Sequence, residues 1–142
     1  MSNISSQVVI EQLLNVLEEA VTSPEKPWSY FIDNRANGGL LGSLAEISAG
    51  DASRPVAGTS MAAQVFHVIF ALSASAAWIR GDSSPRNWEE SWRKSSVDDQ
   101  AWQGMLLELQ SAYKDLHQAI QTHATSTPEA LGGAIGVIAH VA

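Results

Sequence analysis

The stretch SMAAQVFHVIFALSASAAWIRGD, residues 60 to 82, decides how the rest of the chain is read. Ser60 offers a hydroxyl to the free N–H groups at a helix start, and Gly81 with Asp82 supplies a stop, so the pattern predicts a helix from Met61 to Arg80. That helix is apolar on nearly every side, which puts it in the core of a helical domain or against a partner chain. His67 interrupts its apolar body. At helical spacing His67 shares a stripe with Gln64, Ala71, Ala74 and Trp78, most of it small. Such a stripe leaves room for two readings. Facing the domain axis, the imidazole meets a metal, a water or a ligand; facing a neighbouring helix, it is a core histidine with one satisfied nitrogen.

Working outward, helical period recurs. In residues 5 to 21, SSQVVIEQLLNVLEEAV, the residues Val9, Leu13, Val16 and Ala20 share a face that Ile10, Leu14 and Leu17 widen. Ser23 and Pro24 stop this helix, because a residue before proline is pushed out of the helical region. KPWSYFIDNRANGG then reads as an ordered loop whose three aromatics pack down on the domain. GLLGSLAEIS, residues 39 to 48, reads as a short helical segment, and GDASRPVAGTS as a turn-rich connector. Residues 82 to 96 form a polar connector in which Trp88 and Trp92 make a lid or seam. Ser96 with Asp99 resembles a capping box, and Trp102, Leu106, Leu109, Tyr113, Leu116 and Ile120 then mark one face of a long helix. Thr127, Pro128 and Glu129 give a cap, a first-turn proline and a first-turn acid for a last helix. It runs to Ala142 without a stop signal, as a chain cut from a longer one would, or as one that ends in mid-helix. No hairpin signal or fixed repeat is present. The expected architecture is all-α: one domain over residues 1–142, a four-helix bundle with long connectors between helices 1 and 2 and between helices 2 and 3.

Composition sets limits. The formal net charge is −7 with eight lysines and arginines, which opposes binding to phosphate backbones and argues against a nucleic-acid partner. Cysteine is absent, so a metal must rely on histidine, carboxylate or water. The N-terminus lacks a basic leader, which points to a cytoplasmic protein. The apolar run at 61 to 79 is broken by Gln64, His67, Ser73 and Ser75 and follows no basic cluster, so it reads as a core helix rather than a membrane span. The apolar fraction of 45% against 16% charged residues leaves little solvated surface and suggests a homodimer.

His140 shares a helix face with Gly132, Gly133 and Gly136. Glycine inside a helix is destabilising by roughly 1 kcal/mol relative to alanine, and close helix approach is the usual reason for keeping it; that approach would carry His140 toward His67. His117 and His123 read as surface or capping residues, and the pairs Glu18–Glu19, Glu89–Glu90 and Asp98–Asp99 as solvated. No nucleophile–histidine–acid order, phosphate loop or HExxH sequence occurs.

The inward histidine of residues 59 to 82, the Trp-bearing NWEESW and the last helix GGAIGVIAHVA together resemble the DinB-like (DinB/YfiT-like) family of bacterial four-helix-bundle proteins, over about residues 29 to 142. The resemblance implies a divalent metal, Zn²⁺ or Ni²⁺, held by three histidines. One comes from the second helix and two, spaced H-x-x-x-H, from the last. His67 matches the first and His140 the first of that pair; the other would fall two residues beyond Ala142. Gln64, Ala71 and Trp78 would line the pocket. The implied activity is a metal-dependent enzyme, a transferase using a low-molecular-weight thiol or a hydrolase acting on a small-molecule substrate. Two readings from other classes stay open: a metal-free small-molecule-binding module, and a dimeric stress-associated structural protein.

Overall fold

The computed structural model describes residues 2–22, 26–33 and 36–142, and they form an all-α fold. Six α-helices are present among them: α1 (Ser6–Thr22), α2 (Leu40–Ala45), α3 (Ala49–Ser53), α4 (Met61–Ile79), α5 (Asp99–His123) and α6 (Pro128–Val141). A 3₁₀ turn spans Trp88–Trp92. Among the described residues, β-type pairing is confined to an isolated bridge between Val56 and Thr59. The stop expected at Ser23 and Pro24 lies outside the described residues.

Capping sets several of the helix starts. The Ser60 hydroxyl accepts the Ala63 N–H at 3.1 Å and Thr127 accepts that of Ala130 at 3.0 Å, as their sequence contexts require. Helix α5 departs from expectation: its cap is Asp98, whose Oδ1 takes the Ala101 N–H at 2.7 Å, rather than Ser96. A carboxylate at this position adds charge to the hydrogen bond at the positive helix end, which a hydroxyl two residues earlier does not reach. The region from 39 to 60 also differs. Ser48 caps a second short helix, so part of the expected connector is α3.

Helix α4 packs against α5, α6, α3 and the 3₁₀ turn, while α1 packs against α5, α6 and α2. Each of the four long helices therefore contacts at least two others. Leu17 and Val21 of α1, Leu72 and Ile79 of α4, and Leu109, Leu116 and Ile120 of α5 are sealed in the core. Trp102 joins them and donates its indole N–H to the Ile47 carbonyl at 2.8 Å, pinning the α2–α3 region to α5. Helix α4 is long and apolar enough to cross a membrane, with a mean hydropathy of 1.6; here its apolar faces are divided among helices.

Three expectations are corrected. The α1 stripe is buried only in its C-terminal half; Val9, Leu13 and Val16 instead line an open apolar groove of about 630 Å³ with Leu131, Ile135 and Ile138. Trp28, Tyr30 and Phe31 remain 58%, 61% and 45% exposed rather than packing down. Glu19 is buried, not solvated, because its carboxylate accepts the backbone N–H groups of Tyr30 and Phe31.

Candidate functional site

Helices α4 and α6 run antiparallel along one another. At one end the Trp78 indole donates to the Glu129 carbonyl at 3.3 Å and lies against Gly133, where a Cβ would come within 2.7 Å of Trp78 Cδ1. At the other end His67 Nε2 stands 3.0 Å from His140 Nε2. The structure thus brings together the two histidines singled out from sequence, 73 residues apart. Of the glycines thought to permit this approach, Gly133 does so, whereas Gly132 and Gly136 face open space.

A clasp from the connector closes over His67. Asn87 caps the 3₁₀ turn by accepting the Glu89 N–H. The turn lays Trp92 on the imidazole, ring centroids 3.9 Å apart and planes 11° from parallel. Trp88 packs edge-on to Phe70 at 5.0 Å and stands 6.1 Å from His67. Arg93 and Lys94 lie over Phe66 at 5.7 and 5.6 Å, a geometry in which cations favour an aromatic face. The segment is tied down beyond the turn as well: Ser60 donates to the Ser95 carbonyl at 2.6 Å, and Ser53 bonds both the N–H and the carbonyl of Val97.

Ser91 gives the site its polarity. It is completely buried, and its one hydroxyl proton goes to the Trp88 carbonyl at 2.6 Å. Its oxygen also lies 2.8 Å from His67 Nδ1. With that proton committed, the oxygen accepts, so Nδ1 carries the imidazole hydrogen and Nε2 presents its lone pair to His140. Without a metal, the His140 Nε2–H fills that lone pair. Burial, and next the charge of His140, hold the His67 pKa below the ordinary 6.5. The neutral, electron-donating imidazole is therefore the favoured form.

The remaining singled-out residues are dispersed. Ala71 is buried. Gln64 turns its amide to Thr59 Oγ1 at 3.2 Å, in a cleft with Ile47 and Arg54, and Trp78 sits at the far end of the α4–α6 seam. His117 pairs with Glu18 at 3.5 Å, and His123 lies in the last turn of α5 beside Thr122. Ser91 was not anticipated as part of the site, and Trp92, expected in a lid or seam, closes on His67 itself. The spacing of NWEESW carried a trace of Ser91, since residues three apart in a 3₁₀ turn eclipse and so place it on the side of Trp88.

Two imidazole nitrogens bound about 2.0–2.1 Å from one zinc ion stand roughly 2.9 Å apart at a right angle and about 3.3 Å at the tetrahedral angle. The observed 3.0 Å falls between these, and Ser91 supplies the hydrogen-bond partner that ligand histidines require. The pair therefore fits two positions around a divalent ion. Among the described residues no cluster of three or more histidines and carboxylates could hold one, so further positions would go to solvent or substrate. No protein-family model, curated protein or solved structure matches the chain.

Proposed function

We propose that the chain is a metal-dependent enzyme of the DinB-like type, built as a four-helix bundle of α1, α4, α5 and α6, with His67 and His140 holding a divalent metal. The observation that carries this is the outward lone pair of His67 Nε2, fixed by Ser91 and aimed at His140 Nε2 at 3.0 Å. The bundle is supported by the pairing of α1 and α4 each with both α5 and α6. A bound Zn²⁺ or Ni²⁺ would supply Lewis acidity that makes a water or a low-molecular-weight thiol nucleophilic at neutral pH. The chain's own residues do the rest. Ser91 fixes the tautomer, Trp92 covers one face of the imidazole, and the half-exposed position of the pair leaves it accessible to a small-molecule substrate.

Calorimetric titration with Zn²⁺ and Ni²⁺ tests the reading. The expected result is one ion per chain at near-stoichiometric affinity, lost in both His67→Ala and His140→Ala. Saturable binding that survives both substitutions, or no binding by the unsubstituted chain, sinks it.

The groove between α1 and α6 favours self-association as a second property, since Ile4, Val8 and Ile135 are 75%, 43% and 54% exposed along it and contiguous apolar surface of this kind commonly marks an interface. Sedimentation at micromolar concentration would give a homodimer; a monomer there removes this property and leaves the metal reading intact.

A further inference from the structure

A cleft lies between the C-terminal half of α4 and the connector that follows. It encloses about 360 Å³, near the lower end of small-molecule sites at about 300–1,000 Å³, which suits a single mono- or bicyclic ligand. Trp78 and Trp88 both line it while remaining 45% and 47% exposed. Neither indole is loose. Trp78 is tethered to the Glu129 carbonyl and wedged against Gly133, and Trp88 is braced on Phe70. Each ring is thus held in place with part of its surface left to solvent, the preorganised arrangement that lowers the entropic penalty of stacking a ligand.

The third wall is equally fixed. Asp82 Oδ1 accepts the Ser84 hydroxyl at 2.5 Å and the Ser84 N–H at 3.0 Å, and Oδ2 takes Arg86 at 3.2 Å. Arg86 also donates to the Ser84 carbonyl at 3.3 Å. These bonds hold the Asp82 carboxyl at about 2, far below its usual range, so the network persists through the neutral and mildly acid range. Because the carboxylate and guanidinium satisfy one another, the cleft selects neither an anion nor a cation. What it presents is indole surface, the Ala74 methyl, and hydroxyls of Ser75 and Ser83.

We infer that this cleft binds a neutral planar aromatic ring, at a site of its own rather than at the His67–His140 pair, which does not line it. A flat ring gains offset or edge contacts with both indoles that a puckered hydrocarbon of the same size does not make, and its polar substituent meets the serine hydroxyls at the edge.

The test uses the full chain without added metal, 2-naphthol as the planar probe and trans-2-decalol as its saturated counterpart, with binding followed through the tryptophan indole N–H signals by NMR. The naphthol is expected to shift Trp78 and Trp88 saturably and to bind more tightly than the decalol. Trp78→Leu should weaken naphthol by about two- to tenfold, the range of an aromatic pair, and leave decalol unchanged; Trp78→Phe should retain most of the affinity. Trp28→Leu, which alters a 58% exposed indole on another segment, should change neither. Equal affinity for the two probes, an unchanged Trp78→Leu variant, or shifts confined to the α1–α6 groove overturn the assignment. The metal titration is read separately. Naphthol binding as expected with no metal uptake keeps the cleft as a binding site. Metal uptake without naphthol binding removes the cleft and leaves the histidine centre standing.

Discussion

Ser91 Oγ stands 2.8 Å from His67 Nδ1 and donates its only proton to the Trp88 carbonyl, so the protonation of a helix residue is dictated by a turn 24 positions further on. Replacing Ser91, which is fully buried, with alanine leaves the Nδ1–H without its acceptor. The proton is then expected to move to Nε2, where His140 or solvent can accept it. ¹⁵N shifts of the His67 ring should report the exchanged tautomer, and Zn²⁺ or Ni²⁺ affinity should fall about 10–100-fold, as when the hydrogen-bond partner of a ligand histidine is lost. An unchanged tautomer with unchanged affinity would reduce Ser91 to a space-filler.

The depressed His67 pKa makes a signed prediction. Burial and the neighbouring His140 charge favour the neutral ring, so between the folded value and 6.5 the folded chain binds fewer protons than the unfolded one. Stability there rises with pH. The contribution is fully present above 6.5 and is lost as pH falls through the folded value. An NMR titration should place the His67 midpoint below 6.5, and His67→Gln should flatten the fall in urea stability on the acid side of 6.5. A midpoint at or above 6.5 contradicts the effect of burial and the His140 charge on the ring.

Glu19 anchors a segment that looks free. Its buried carboxylate accepts the amides of Tyr30 and Phe31, and hydrogen bonds to a charged group are worth about 1.5–3 kcal/mol each, less once water competes for them. Glu19→Ala is expected to lower stability by about 1–3 kcal/mol and to speed hydrogen exchange at Tyr30 and Phe31 selectively. Glu19→Gln retains one acceptor oxygen and should fall between. Uniform acceleration across α1 would mean that the carboxylate supports the helix rather than the loop.

What could be read from sequence divides along a physical line. Helices α1, α4, α5 and α6 follow from a 3.6-residue apolar period and from caps such as Ser60 and Thr127, both of which are local. The meeting of His67 with His140 was also foreshadowed, because a histidine in an apolar helix and another on a glycine-bearing face can share a seam. Ser91 was not legible, since its role arises only when the 3₁₀ turn docks on α4. Glu19 was misread for the same reason: adjacent acids on a helix are solvated unless a distant loop presents N–H groups to one of them. The choice of Asp98 over Ser96 as the α5 cap turned on two residues of register, the scale at which helix ends are poorly fixed by pattern alone.

The α6 glycines separate two causes that sequence merges. A Cβ at Gly136 meets nothing within 4 Å, whereas one at Gly133 would lie 2.7 Å from Trp78 Cδ1 and 3.2 Å from Nε1. Alanine in a helix interior is favoured over glycine by about 0.8–1.0 kcal/mol, and nothing opposes that gain at position 136. Gly136→Ala should therefore raise urea stability by about 0.5–1 kcal/mol. At position 133 the same gain meets overpacking of about 1–3 kcal/mol, because the indole has to rotate away and give up its bond to the Glu129 carbonyl. Gly133→Ala should lower stability by about 1 kcal/mol and red-shift the Trp78 emission, isolated by comparison with Trp78→Phe. If both substitutions stabilise the chain equally, Trp78 is not wedged against α6, and the seam that brings His140 to His67 is held by the core residues alone.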